Sequence, residues 1–591
     1  MARVSFAAGV TLLLAASCTH AAPATTPVPR ARPVAAALTS FGDCGTLTSS
    51  LRKEALKEVT AYGLPQPVWG LEDRGFMLSS SARTATDSVF KAALPAVHST
   101  TNVQESDVDE PDTVKTDGSV MVISSNGHLK VVDVSRPQPV AVADLLLHLD
   151  QPQLLLDGTT VIALGHVSRA GRVVTVVEVI DVSDPATPTA VRRFRLDGSL
   201  LDARVLHGRV VVAVSSVPRL RFTHPIAGTP KAQAAALKAN RAVVQRAGVA
   251  DLLPAVTVTP GGGTYRAACT AALRSGVASG LQRTSLITLD PAQDAPTQHV
   301  TVVGNASTVY ASQDALYLAT QPGYSGRGPV AFGVTGSTAL HGFDVTHPDQ
   351  IHYLGTGSVP GRLLDQYALS EQGGYLRVAT TTYSGGIDNR ITVLKPQHGV
   401  LAEVAHVGGL GVGERLFGVR FLGDTAYVVT FRQVDPLHVV DLSDPTRPTL
   451  RGQLTVSGYS SALYPLGNNQ LLGLGQDAGT AASVFDTSDS GHPRLLSKAV
   501  LTGGWSLAER DHHALLWWPK TRTVAFPLGA GTVVLKVSPR GDIGEQGRVI
   551  VKGGPVQRLV VVGDLLYSVS QGGLTTAPLE RLDETRWLQF R

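Results

Sequence analysis

Apolar residues in this chain fall in short runs rich in valine, leucine and isoleucine, and each run stops at a polar turn. The clearest case is Val439-Val440-Asp441-Leu442-Ser443-Asp444-Pro445-Thr446-Arg447-Pro448. Variants recur at Val132-Asp133-Val134-Ser135-Arg136-Pro137, Ile180-Asp181-Val182-Ser183-Asp184-Pro185, Phe343-Asp344-Val345-Thr346-His347-Pro348 and Phe485-Asp486-Thr487-Ser488-Asp489. β-Branched residues suit a pleated, half-buried strand. Asp and Ser side chains bond backbone groups a residue or two on, and proline fixes φ, so each copy ends one strand and turns toward the next. Copies at 441 and 486, and at 133 and 181, lie about 45–48 residues apart, a period that marks a propeller or solenoid.

Further apolar strands are expected at Thr159–Leu164, Val210–Val214, Ala315–Thr320, Thr425–Thr430, Gln470–Leu474 and Leu565–Val569. Unit ends near 133, 181, 289, 344, 394, 441, 486, 535 and 579 give nine markers. Propellers often close by pairing their first and last strands, so two markers can be halves of one blade. With natural propellers of about 4–8 blades, the expected fold is a single all-β propeller of eight blades, seven or nine remaining open.

Two stretches break the strand pattern. The interval from 181 to 289 is about twice the usual period and holds an insertion at about 217–280. In it Pro230–Ala247 is rich in Ala, Lys, Arg and Gln, which favour helix, with Pro230 suited to a first turn. The Gly261-Gly262-Gly263 loop and Cys269 follow, and loops of this length are often functional. Near the start, Leu47–Val59 places Leu47, Leu51, Ala55 or Leu56 and Val59 on one helical face. Residues 63–98 read as irregular.

The first residues give an address. Arg3 precedes an apolar run, Val4–Ala16, too short to span a bilayer but laid out as a secretory signal. Leu14-Ala15-Ala16-Ser17-Cys18 resembles a bacterial lipobox with Cys18 as the lipidated residue; the alternative is a plain signal peptide cut around Ala22-Pro23-Ala24. From Thr19 the chain is Ala, Pro and Thr with few large apolar residues, a composition that cannot offset ordering entropy. The expected plan is a leader over 1–18, a disordered tether over 19–40, a helical extension over 41–98 and the propeller over 99–591. Apart from Cys18, Cys44 and Cys269 remain, an even pair in an exported chain and so a disulfide candidate; two buried free thiols are the alternative.

Composition narrows the partners. The chain carries 51 Lys and Arg against 47 Asp and Glu, a net charge of +4, too near balance for a nucleic-acid binder, which usually shows a basic stripe. Aromatic residues are 5%, so stacking platforms for bases or glycans look scarce.

The stretch Thr101-Asn102-Val103-Gln104-Glu105-Ser106-Asp107-Val108-Asp109-Glu110-Pro111-Asp112-Thr113-Val114-Lys115-Thr116-Asp117-Gly118 resembles the leading motif of a largely uncharacterised family of secreted bacterial and archaeal β-propeller proteins, distantly WD40-like, that carry TNVQ…VDEPD.VKTDG. Gly458-Tyr459-Ser460, Leu471–Asp477, Asp511-His512-His513-Ala514 and Phe526-Pro527 resemble it in order and spacing. Asp107 departs from the family, which has glycine there. The resemblance implies the propeller and no reaction.

Candidate chemistry is sparse. Glu105, Asp107, Asp109, Glu110 and Asp112 could offer oxygens to Ca²⁺, with Asp109, Glu110 and Asp112 the metal candidates. The competing reading is a polar turn whose acids cap amides or pair with Lys115 or arginines. Asp511-His512-His513 could supply a general base, against a structural role joining strands. Gly323-Tyr324-Ser325-Gly326 lacks the spacing of a nucleophile elbow. Metalloprotease, P-loop and dinucleotide motifs are absent, and Gly409-Leu410-Gly411-Val412-Gly413 reads as a connector. The expected role is an exported, lipid-anchored binding or scaffold module facing a protein or polysaccharide of the cell envelope, membrane-bound through its anchor only. No cofactor other than Ca²⁺ and no nucleic acid is expected. The alternative is a glycan- or peptide-directed hydrolase or lyase with its site at the channel.

Overall fold

The computed structural model describes residues 37–65, 98–105, 108–169, 172–275, 280–320, 336–383, 385–432 and 435–590. The leader with Cys18, most of the tether, Asp107 and the 323–326 loop lie outside the described residues. Among the described residues nine antiparallel four-stranded units follow one another, within 114–146, 150–197, 199–303, 308–360, 369–407, 415–456, 459–501, 516–550 and 556–589, here blades 1 to 9. The expectation of eight blades left seven and nine open, and among the described residues no four-stranded unit is shared between the chain's ends. Blades 1 and 9 are each built from four strands of their own. They close the ring through side chains instead: Val114, Ile123 and Val132 pack on Val560, Tyr567 and Val569, and Ser125 Oγ donates to Gln571 O at 2.6 Å.

The sequence pattern follows from this packing. The second and third strands of a blade are covered by neighbouring blades on both faces, so they read as continuous apolar runs. Val120–Ser125 and Gln470–Gln476 are buried almost throughout. Outer strands such as Arg494–Leu501 meet solvent and mix charged with apolar residues. Each of the nine markers falls within two or three residues of the end of a third strand. In blades 1 to 8 the pairing of that strand with the fourth slips just before the turn, as at Val439/Val440 and Val484/Phe485. Such bulges raise the local twist, and the repetition suits a ring of twisted blades.

The turns work as expected. The carboxylates of Asp133, Asp181, Asp344, Asp441 and Asp486 accept the backbone N–H two residues on, at 2.8–3.0 Å. At Asp441 the Ser443 bonds and then Arg451 hold the carboxyl down to about 2, and at Asp486 Ser488 and Arg494 do the same. Both folded values lie below the ordinary unfolded value of about 3.9. The stabilisation is therefore present above about pH 4 and lost as pH falls through about 2. Carboxyl titration by NMR should show both groups ionising near pH 2, and Asp441→Asn should flatten the fall in stability between about pH 4 and pH 2.

The extension and the insertion form one unit on the rim of blades 2 and 3. Helix α1 (Cys44–Glu58), capped by Asp43, buries Leu47, Leu51 and Ala55. It packs against α2 (Pro230–Arg246), capped by Thr229 with Pro230 in its first turn, and α3 (Val249–Leu252). Asn240 of α2 is fully buried; it accepts from Thr223 N and donates to the carbonyls of Thr60, Ala61 and Thr223. Cys44 and Cys269 form a disulfide. The strand Thr39–Ser40 pairs with Ala272–Arg274, which joins the outer strand of blade 3, and Ala255–Thr259 extends blade 2. Both outer edges are thus covered, which protects them from pairing with other chains. Blades 4 and 5 join edges directly where Gly355 pairs with Gly399; a Cβ at Gly355 would sit 2.8 Å from the Gly399 carbonyl carbon.

Candidate functional site on the propeller axis

The acidic segment does not stop at the rim of blade 1. Residues 98–105 and 108–112 lie along the ring's axis and bond to the inner edges of six blades. Ser99 N donates to Val561 O in blade 9, and Val561 N returns to Ser99 Oγ. Asn102 Nδ2 donates to His512 O and Leu515 O before and at the start of blade 8's inner edge. Gln104 Nε2 donates to Gln366 O and Leu369 O at blade 5, 3.0 Å each. Glu105 accepts from Tyr310 Oη in blade 4 at 2.7 Å. Asp109 O accepts from Val205 N in blade 3, and Asp112 exchanges both backbone bonds with Leu154 in blade 2.

Two of these contacts are copies of one device. Asp365-Gln366-Tyr367-Ala368-Leu369 and Asp511-His512-His513-Ala514-Leu515 each form a single 3₁₀ turn capped by its aspartate. In both, the amide from the axial segment reads the carbonyls of the second and fifth residues. The motif's asparagine and glutamine are therefore clamps that join the axial segment to two separate blades, 8 and 5. Its end has a turn role: Asp117 Oδ1 accepts from Ser119 N and Val120 N. Gly118 has φ +90 there, and a Cβ would meet His98 at 2.6 Å.

Charges gather around this segment and neutralise one another. Asp109 accepts from Lys115 Nζ at 2.6 Å. Glu110 lies 3.5 Å from Arg204 and 3.4 Å from His513 Nε2. Asp112 is held by Arg558, which also reaches Asp511 at 2.7 Å, and Asp112 Oδ1 lies 3.8 Å from His513 Nδ1. Burial opposes ionisation of Glu110 and Asp112. Arg204 with His513, and Arg558 with His513 and Lys115, outweigh it, so both carboxyls sit below their ordinary values. For Asp511 burial wins over Arg558, and its carboxyl is raised. Asp202 is pushed up to about 6 by burial, with Arg204 opposing and Glu110 adding. Arg204 and Arg558 are raised, their carboxylate neighbours overcoming burial. His512 is flanked by Tyr367 and Tyr464, ring centroids 5.1 Å away on each side.

The three metal candidates are thus brought together on the axis, each facing a basic group of the chain itself. Among the described residues no group of three or more His, Cys, Asp or Glu is arranged to hold a metal ion. Beside them a cavity of about 230 Å³ is bordered by Asn102, Asp109, Asp112, Lys115, His513 and Arg558. Neither ring nitrogen of His513 makes a hydrogen bond. Sequence reasoning missed Arg204, Arg558, Tyr310 and Tyr367, which lie far from the acidic run. One signal was available: an arginine inside an otherwise apolar run, as in Ala203-Arg204-Val205. The repeat of the Asp-x-x-Ala-Leu pattern at 365 and 511 was the other.

A second feature lies on the rim from which the insertion leaves. Phe417, Phe431 and Tyr459 form a three-ring cluster with centroids 5.1–5.4 Å apart. Trp505, 59% exposed, is covered by the Arg510 guanidinium at 5.3 Å. The scarcity of aromatics in the composition did not prevent a local concentration.

The disulfide is consistent with an exported protein. No helix among the described residues is long and apolar enough to cross a membrane.

Comparison with known proteins gives relatives without an assigned activity. An uncharacterised protein of Methanocaldococcus jannaschii is 36% identical over 243 residues, covering 39% of this chain and 37% of the relative. One of Archaeoglobus fulgidus is 34% identical over 241 residues, covering 40% and 36%. The match thus spans little more than a third of either relative. Among solved structures, a Lactobacillus plantarum protein aligns at 11% identity and TM-score 0.31, over 52% of this chain and 91% of its own. Sqt1 of Chaetomium thermophilum aligns at 12% and 0.34, over 51% and 77%. The Beta propeller domain family matches residues 98–582, and the chain belongs to that family.

Proposed function

We propose that this protein is an exported, lipid-anchored propeller that serves as a non-catalytic binding or scaffold module in the cell envelope. The observation that carries the reading is the occupied axis. Propeller enzymes collect polar side chains around an open channel; here residues 98–105 and 108–112 bond to the inner edges of six blades, and the axial carboxylates are paired with the chain's own Arg204, Arg558 and Lys115. The Phe417–Phe431–Tyr459 cluster and exposed Trp505 supply a surface for a protein or polysaccharide. Anchoring rests on the Cys18 lipobox pattern, and intact mass of the membrane-extracted protein would show a lipid on Cys18.

A second reading, an enzyme at the channel, draws on the cavity beside His513. One experiment separates the two. Purified protein is incubated with envelope polysaccharide and peptide fractions, and products are followed by mass spectrometry alongside His513→Ala. The scaffold reading expects saturable retention on the envelope material with no product. Turnover that disappears in His513→Ala would overturn it.

A further inference from the structure

Charge in this chain is unevenly placed. Of the 51 Lys and Arg and 47 Asp and Glu, residues 217–282 hold eight and one. The insertion therefore carries +7, and the rest of the chain −3. Within it Arg221, Lys231, Lys238, Arg241 and Arg246 are exposed, and none makes an ion pair among the described residues. Four of them lie on α2, where the opposite face buries Ala236, Asn240 and Val244. Helical spacing sets Lys231, Lys238, Arg241 and Arg246 along the outward side. The loop leading into α2 presents Ile226 at 105% exposure, the most exposed large apolar side chain described.

An unpaired basic face costs solubility nothing, but it repels itself and adds nothing to the packing of this unit. Its chemistry suits a dense anionic surface. Basic groups near an anionic bilayer each add attraction within a Debye length, and an apolar side chain among them can enter the interface. Chain connectivity points the same way. The first described residues, Ala37 to Ser40, run into the strand that pairs with Ala272–Arg274 of this insertion. Residues 19–36 reach at most roughly 60 Å when extended, so an upstream anchor would deliver this face to the bilayer first.

We propose that the insertion, through α2 and the Ile226 loop, docks the propeller on an anionic phospholipid surface. The proposal rests on the anchored-module reading for its setting, but its test does not use the anchor.

The chain from Thr19 onward, which keeps every described residue and carries no lipid, is sedimented with vesicles of phosphatidylcholine alone or with about one third phosphatidylglycerol. Partition should be at least about tenfold stronger onto the anionic vesicles at about 50 mM salt, and should fall steeply by about 300 mM. Lys231→Glu/Lys238→Glu/Arg241→Glu/Arg246→Glu should lose at least about a hundredfold of it with an unchanged circular dichroism spectrum. If that variant misfolds, Lys231→Gln/Lys238→Gln should still lose about tenfold or more. Equal partition onto both vesicle types, no partition at low salt, or wild-type binding by the folded variants would overturn the proposal. Retention on dextran sulfate without vesicle binding would also overturn it, assigning the face to a polyanionic polymer. Absence of lipid on Cys18 would defeat the anchor and leave this result standing.

Discussion

Replacing Arg558 with methionine is expected to destabilise the propeller by about 3–5 kcal/mol at neutral pH. The guanidinium is buried and holds two carboxylates, Asp112 from the axial segment and Asp511 from the turn before blade 8. Methionine keeps much of the apolar stem, so the loss is mainly electrostatic: two buried anions are left without their cation. The pH dependence identifies the cause. In the native protein Asp112 is below its ordinary value, since Arg558, with His513 and Lys115, overcomes burial. Its stabilisation is present above about pH 4 and is lost as pH falls through the lower folded value. Without Arg558, burial raises both carboxyls above their unfolded values. The variant then gains relative stability as pH falls, because protonation relieves the buried charge. Urea midpoints at about pH 7, 5.5 and 4 should show the gap narrowing toward acid. Asp112→Asn in the Arg558→Met background should recover part of the loss at neutral pH. A gap of constant size across that range would mean the arginine acts through packing alone.

Blade ends were legible in the chain because the Asp turn is a local device. The carboxylate and the N–H that donates to it lie two residues apart, and in four of the five copies a proline follows within five residues, so each copy announces itself. The two helices were legible for a similar reason: Leu47, Leu51 and Ala55 follow helical spacing, and Pro230 opens a run of helix-forming residues. The disulfide needed only an even pair of cysteines. What the sequence concealed is non-local. Inner strands such as Val114–Thr116 and Leu516–Trp518 are short, and those at Leu154, Val205 and Val561 give part of their backbone bonding to the axial segment. The number of blades depended on how the ends meet, and that is decided by Val114 and Tyr567 packing across the whole chain. The axial cluster was half visible. Acids and histidines appeared as two runs, while the arginines that neutralise them sit singly within apolar strands. Glu110 and Arg204 are 94 positions apart in sequence, and Asp112 and Arg558 are 446. Without these partners, the acidic run had two readings, ligand set or internal salt bridges, and spacing alone could not choose.

Removing the disulfide with Cys44→Ser/Cys269→Ser is expected to cost about 2–5 kcal/mol, concentrated in one part of the molecule. The bond closes a span of 225 residues, and the cross-link's effect on the unfolded chain grows with loop length. Its native-state role is local. Helix α1 is connected to the ring through residues outside the described set on one side and the strand Thr39–Ser40 on the other. It is also held by the burial of Leu47, Leu51 and Ala55 in one cluster with Val244 and Leu252, by the Arg52 Nε bond to Ala247 O and the Arg274 bond to Ser50 Oγ, and by the Asn240 bonds to Thr60 and Ala61 just beyond its end. These apolar side chains contribute only a few kcal/mol (about 1.5–3 for each leucine), well short of the entropy of ordering a 15-residue helix at about 1–2 kcal/mol per residue. Without the covalent tie, opening of α1 should become frequent, and α2 would lose the partner that covers its buried face. Hydrogen exchange should therefore accelerate in residues 44–58 and 230–246 while blades 5 to 9 keep wild-type protection. That pattern would make the extension and insertion a separate cooperative unit on the propeller's edge. A uniform rise across all blades would instead make the disulfide part of what keeps the ring closed, and the edge unit would have to be counted as a structural element of blades 2 and 3.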